Sequence, residues 1–131
     1  MSGLVGVDTG FFLALSQRDP AALALFEGPA ELVTSVLVLY ELQKKLRESG
    51  QPRWRETLAD LERATSVLPI TAAIALKAGE TAHENGLPAG AALILGSLLE
   101  AGCKTIYTTD KHLKGLNLPG VAIIGLSGNR E

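Results

Sequence analysis

The sequence predicts one three-layer α/β/α domain with a mostly parallel sheet of about four or five strands. The chain has 131 residues, which is about the size of a single domain. Its composition, 47% hydrophobic and 20% charged, is that of a globular protein. Short apolar runs alternate with longer segments of helical periodicity, and parallel neighbouring strands require such helical crossovers. A single domain over residues 1–131 is therefore expected.

The first half of the chain predicts two strands and four helices. Leu4 to Val7 is an apolar run that ends at Asp8, which is typical of a buried strand that stops at a turn. Thr9 is expected to cap the next helix, and Ser35 to cap a later helix that ends at Gly50. The elements predicted after the first strand are helices over 10–17 and 20–27, a strand over 32–34, and helices over 36–49 and 53–66.

The second half predicts three more strands and two helices. A strand over 67–70 precedes a helix that opens at Thr71 and stops near Gly86. The next helix, over 88–101, is strongly apolar and rich in small residues, so it should be largely buried. Strands over 104–108 and 121–124 complete the sheet, separated by a short loop that holds Asp110.

Three acidic residues are predicted to meet at one edge of this sheet. Asp8 and Asp110 each follow a strand, and Glu41 lies in the helix that follows the second strand. In open α/β sheets, ligands bind beyond the carboxyl ends of the strands. Clustered carboxylates repel one another unless a cation is present, and Mg²⁺ or Mn²⁺ prefers oxygen ligands. Such an ion activates water and stabilises charge on a phosphate, so phosphodiester hydrolysis is the expected reaction class.

Three segments carry a resemblance to a known family: Val7-Asp8-Thr9-Gly10-Phe11-Phe12, Thr34 to Leu42, and Tyr107-Thr108-Thr109-Asp110. Their order and spacing resemble the motifs of PIN domains, specifically the VapC-type ribonuclease toxins of toxin–antitoxin systems. The resemblance implies that Asp8, Glu41 and Asp110 are catalytic, metal-binding acids and that Thr109 supports them. It also implies Mg²⁺ or Mn²⁺ as cofactor, RNA as substrate, a small antitoxin as partner and a homodimer.

The sequence departs from the family pattern at Ala91. The family's third motif places an aspartate near the start of the apolar helix, and Pro88 to Leu95 matches that motif with alanine at the acid position. This chain is therefore expected to bind metal poorly and to be inactive or strongly impaired. Two interpretations of Ala91 stay open: a natural relative that has lost the acid, and a substitution introduced to remove the activity.

The overall charge restricts where a nucleic acid could bind. The net charge is -2, so the chain lacks the general basic excess of many nucleic-acid-binding proteins. RNA would have to be contacted by local cations, although most of these are expected to be ordinary solvated residues. The candidates are Lys44, Lys45, Arg47, Arg53, Arg55, Lys111 and Lys114.

Cysteine, histidine and hydropathy exclude several other classes of protein. Cys103 has no partner for an intrachain disulfide, and no signal peptide or long apolar segment occurs, which favours a cytoplasmic protein without a membrane span. His83 and His112 lack the spacing of a zinc motif. A phospho-receiver domain is disfavoured because that site needs adjacent acids after the first strand. A catalytically silent binding module with the same fold remains the alternative to a ribonuclease.

Overall fold

The structure is a computed structural model that describes residues 3–126 and contains five strands and seven helices over that range. The strands are β1 (Leu4–Val7), β2 (Glu31–Ser35), β3 (Ser66–Leu68), β4 (Thr105–Thr108) and β5 (Ala122–Gly125). The helices are α1 (Thr9–Ser16), α2 (Pro20–Glu27), α3 (Val36–Glu48), α4 (Trp54–Ala64), α5 (Ala72–Asn85), α6 (Ala89–Glu100) and α7 (Lys111–Lys114). The predicted domain limits at residues 1 and 131 lie outside the described residues.

All five strands lie parallel in one sheet, in the order β3-β2-β1-β4-β5. Because parallel crossovers are right-handed, this order places α1 to α4 on one face and α5 and α6 on the other. Contacts between α1 and α3 and between α5 and α6 agree with that arrangement. The predicted three-layer α/β/α fold is confirmed.

The strand order creates a switch point between β1 and β4. The chain leaves β1 towards β2 on one side, whereas β4 continues towards β5 on the other. Ligand sites of open α/β sheets lie outside the carboxyl ends of the strands at such a point. Asp8 follows β1 and Asp110 follows β4, so the topology places both at the expected edge.

The core is filled by large apolar side chains from both layers of helices. Phe11, Leu42, Leu98 and Ile106 are almost completely buried. Helix α6 packs directly on β1. A Cβ atom added at Gly6 of β1 would lie only 2.9 Å from Leu98 Cδ1 of α6, which shows how closely the two approach. The prediction that α6 is largely buried is confirmed. Within residues 3–126, no helix is long and apolar enough to cross a membrane.

Two local predictions are wrong. Asp8, not Thr9, is the N-cap of α1: its side chain accepts from the Phe11 N–H, while Thr9 is the first helical residue. The segment after β4 is not simply a loop, because Lys111–Lys114 forms the short helix α7. Four residues are too few to show a helical period in the sequence.

Candidate functional site

A cavity of about 280 Å³ lies at the switch point, beyond the carboxyl ends of β1 and β4. We refer to it as the acidic cavity. Its titratable lining residues are Asp8, Glu41, Lys45 and Asp110, and Ala91 and Thr109 also line it. The fold therefore brings together every acid that the sequence analysis singled out, together with Ala91, the position at which the sequence resemblance leads us to expect an acid.

Asp8 is the most deeply buried of the three acids, with only 4% of its surface exposed. Its Oδ1 accepts from the Phe11 N–H at 3.0 Å, and its Oδ2 accepts from the Thr108 hydroxyl. Burial raises the pKa of Asp8 to about 6, an effect that exceeds the opposing influence of these hydrogen bonds, and the charge of Asp110 raises it further. Asp8 thus sits where a negative charge is costly unless a cation compensates it.

The Thr108 hydroxyl connects β4 to Asp8. It is completely buried and donates to Asp8 Oδ2, while it accepts from the Asp110 N–H at 2.8 Å. One side chain therefore fixes the orientation of the Asp8 carboxylate and the backbone from which Asp110 projects. The sequence analysis missed Thr108, because a threonine inside a predicted strand gives no signal of this role.

Glu41 reaches the cavity from the second turn of α3. Its Oε1 accepts from the Thr9 hydroxyl at 2.6 Å. Its Oε2 lies against the start of α6, since a Cβ atom added at Gly90 would lie 2.8 Å from it. A helix N-terminus carries partial positive charge, so it is a favourable place for a carboxylate. Thr9 is a second site residue that the sequence analysis missed.

Asp110 is the N-cap of α7, which explains why that short helix forms. Its Oδ1 accepts from the His112 N–H at 2.7 Å and from the Leu113 N–H at 3.3 Å. The His112 ring lies beside it, with Nδ1 3.3 Å from the same oxygen. Leu113 is almost completely buried and anchors α7. Capping hydrogen bonds thus hold Asp110 in place. The sequence analysis predicted only a loop for this segment.

Thr109 lines the cavity and packs against the start of α1. A Cβ atom added at Gly10 would lie 1.8 Å from Thr109 Oγ1, so that position requires glycine. Thr109 therefore brings the ends of β4 and α1 together. The hydroxyl that bonds an acid directly, however, is the neighbouring Thr108.

Ala91 is the third residue of α6, and Pro88 is the N-cap of that helix. An acid at this helix position usually bonds the backbone N–H of the N-cap residue, but proline has no N–H. An acid at position 91 would thus lack this local role, and the position lines the acidic cavity.

The three carboxylates suit a hard divalent ion, but they do not form a closed ligand set. Carboxylate oxygens are the ligands that Mg²⁺ and Mn²⁺ prefer. Within residues 3–126, however, no three acid, histidine or cysteine side chains lie close enough together to hold a metal ion as a group. The donor type fits such an ion, whereas the assembled site is incomplete.

A second cavity, of about 200 Å³, lies among α1, α2, α3 and α4. We refer to it as the apolar groove. It is lined mainly by leucine and phenylalanine, including Phe12, Phe26, Leu42, Leu46 and Leu61. It does not include any of the acids predicted for the site, and it offers an apolar surface instead.

The sequence matches the PIN domain family over residues 5–117. The chain belongs to the PIN domain family. That match covers β1 except Leu4, all of β4 and α6, and all three acids of the acidic cavity, so the family predicted from the sequence motifs is confirmed. No curated protein matches this PIN domain.

Solved structures with the same fold include VapC-type toxins. A toxin–antitoxin complex from Klebsiella pneumoniae is 23% identical, with a TM-score of 0.70, over 90% of this chain and 95% of that one. VapC20 of Mycobacterium tuberculosis, a toxin that cleaves the sarcin–ricin loop, is 23% identical, with a TM-score of 0.71, over 90% and 98%. VapBC2 of Rickettsia felis, bound to a DNA fragment from its promoter, is 17% identical, with a TM-score of 0.71, over 93% and 98%. These likenesses establish that the PIN domain has the fold of such toxins.

Proposed function

We propose that this chain is a VapC-like, metal-dependent endoribonuclease whose site lacks one acid. The observation that carries the proposal is that Asp8, Glu41 and Asp110 line one cavity with Ala91. The acids come from three distant segments of the chain, and each is held by its own hydrogen bonds.

Asp8, Glu41 and Asp110 would hold Mg²⁺ or Mn²⁺, which supplies a nucleophilic water and stabilises charge on the phosphate when it is bound. The protein's own contribution is to orient the three carboxylates by hydrogen bonds. Thr108 orients Asp8, Thr9 orients Glu41, and the α7 N-terminus orients Asp110. Ala91 leaves the site one carboxylate short, so we propose that the chain as it stands is inactive or strongly impaired.

RNA is the proposed substrate because the fold is that of VapC-type toxins, one of which cleaves the sarcin–ricin loop. A small antitoxin is the proposed protein partner, since structures with this fold include VapBC complexes. The apolar groove is the surface that supports a protein partner, because burial of its leucine and phenylalanine side chains would favour association.

We further propose that the chain forms a homodimer. Val36 and Tyr40 lie four residues apart on α3, and 40% and 62% of their surfaces are exposed. Residues at this spacing share one helix face, so they form a small apolar stripe on the surface. A second copy of the chain that covers this stripe would bury it.

A catalytically silent binding module is the second candidate. Ala91 and the absence of a closed three-ligand group within residues 3–126 favour it. In that case the fold and the partner surfaces would serve binding alone. The two candidates differ in what happens when the missing carboxylate is supplied.

The test is restoration of the acid by Ala91→Asp. Cleavage of a mixed single-stranded RNA pool is measured in Mg²⁺ or Mn²⁺ and again in EDTA. Ala89→Asp is the matched control, because it adds the same charge to the first residue of α6, which is exposed and outside the cavity. Metal-dependent cleavage that rises about 100-fold or more for Ala91→Asp alone, a range typical of catalytic groups, supports the ribonuclease. Cleavage by Ala91→Asp that is no greater than that of the unmodified chain supports the silent module.

A further inference from the structure

We propose that Lys45 is a substrate-binding residue of the acidic cavity and contacts a phosphate of the RNA. The inference deepens the proposed ribonuclease function and rests on it. Lys45 lies on α3 one turn after Glu41, and it is the cation among the titratable residues that line the cavity. Its neighbours on the cavity wall are acids, so its charge differs from theirs in sign.

The structure separates Lys45 from the other cations on α3 and at the start of α4, because those are already engaged. Lys44 pairs with Glu48 at 3.9 Å, and Arg53 pairs with Glu56. The guanidinium groups of Arg47 and Arg55 lie 4.6 and 4.4 Å from the centre of the Trp54 ring. Among residues 3–126, no acid lies within ion-pair distance of the Lys45 ammonium.

Glu41, the acid expected to pair with Lys45, interacts with other groups instead. A glutamate four residues before a lysine on a helix commonly pairs with it. Here Glu41 Oε1 accepts from the Thr9 hydroxyl at 2.6 Å, and its Oε2 lies against Gly90 at the start of α6. Glu41 therefore interacts with other groups and forms no ion pair with Lys45, which is an exposed residue of the cavity wall.

A phosphate is the ligand that these charges select. The cavity wall carries three carboxylates, so an anion approaches it only where a positive charge compensates them. Lys45 supplies a cation with three hydrogen-bond donors on a flexible stem, which suits a phosphate. The chain has a net charge of -2, so no general basic surface would perform this task.

The first test measures binding of a labelled single-stranded RNA by fluorescence anisotropy over a range of salt, in Mg²⁺ and in EDTA. Lys45→Met should weaken binding about 3- to 10-fold at low salt and reduce the slope of log affinity against log salt by about 0.7, as expected for one lost phosphate contact. Lys45→Arg should retain most of the affinity. Lys44→Met is the matched control, because it removes the same charge from the adjacent, paired position. Thermal melts check that every variant is folded.

Two outcomes of the binding test overturn the proposal: Lys45→Met and Lys44→Met change affinity and slope equally, or the unmodified chain does not bind RNA. The first would make Lys45 an ordinary solvated lysine. A second test repeats Lys45→Met in the Ala91→Asp background, where the KM for RNA should rise several-fold. If Ala91→Asp does not cleave, the proposed ribonuclease fails, yet the binding comparison still decides the role of Lys45. If it cleaves and Lys45→Met leaves its KM unchanged, only the Lys45 proposal fails.

Discussion

At the scale of single residues, the site is built from acids that also have structural roles. Asp8 caps α1 and Asp110 caps α7. Each cap fixes the carboxylate relative to a helix start, and thereby fixes its position in the cavity. This dual role explains why removal of either acid is expected to affect both stability and any chemistry.

Asp8 should make the stability of the metal-free protein depend on pH. Its pKa is about 6 in the folded chain and 3.8 for a free carboxyl, so the folded state binds the proton more tightly. This contribution to the unfolding free energy is present below pH 3.8 and is lost as the pH rises through about 6. Asp8→Asn does not titrate. Relative to Asp8→Asn, the unfolding free energy of the unmodified chain should fall by about 1–3 kcal/mol between pH 3.8 and about pH 6.

The measurement is urea unfolding of both proteins in EDTA across this pH range. A difference in unfolding free energy that stays constant with pH would show that Asp8 ionises at its ordinary pKa. Addition of Mg²⁺ near neutral pH should reduce the loss, because a cation compensates the buried charge.

At the scale of elements, α3 positions Glu41 and Lys45, so its first turn determines the geometry of the cavity wall. Ser35 caps this helix by accepting from the Leu37 N–H at 3.2 Å, and it also accepts from the Ser97 hydroxyl of α6 at 3.1 Å. The single Ser97 hydroxyl hydrogen can instead be donated to Leu93 O, which also lies 3.1 Å away, so Ser97 keeps a partner without Ser35. The main loss on removal of the Ser35 hydroxyl is therefore the cap.

Ser35→Ala should lower the unfolding free energy by about 1–2 kcal/mol, as expected for a lost N-cap. Ser49→Ala is the matched control at the other end of α3, where the exposed Ser49 hydroxyl donates to Leu46 O. That control should change stability by less than about 0.5 kcal/mol. Chemical denaturation of the three proteins measures both effects, and equal losses would refute the capping role.

Most elements were predictable from sequence because their signals are local. Ser35 before an apolar period and Gly50 after it bound α3 within one residue of its observed limits. Asp8, Glu41 and Asp110 were identified because strand ends and family motifs mark them. The roles of Thr9 and Thr108 could not be predicted, since each depends on a contact between segments that are distant in sequence. Lys45 was one of seven candidate cations, and the folded chain is needed to place it at the acidic cavity. Helix α7 was missed because its stability comes from capping by Asp110 and burial of Leu113.

At the scale of the whole molecule, the sheet order determines where the two cavities lie. The switch point between β1 and β4 holds the acidic cavity, whereas the apolar groove lies among the four helices of one face. The two cavities share Leu13 and otherwise have different lining residues, so the proposed metal site and the proposed partner surface are largely separate.

The apolar stripe on α3 gives a prediction about assembly. Tyr40→Glu should weaken self-association by at least about tenfold, because it places a charge where the dimer would bury an aromatic side chain. Leu76→Glu is the control, since Leu76 is 78% exposed on α5 in the other helical layer. Light scattering at micromolar concentration measures the mass. A strict monomer for the unmodified chain would contradict the proposed homodimer.

We propose that position 91 belongs to a metal site formed with Asp8, Glu41 and Asp110, and Mn²⁺ titration by calorimetry measures this directly. Ala91→Asp adds a fourth carboxylate to the cavity, while Ala89→Asp adds the same charge to the same helix end outside it. We expect Ala91→Asp to bind Mn²⁺ at least about tenfold more tightly than the unmodified chain, and Ala89→Asp to match the unmodified chain within about twofold. Equal Mn²⁺ affinity for the two aspartate variants would contradict the claim.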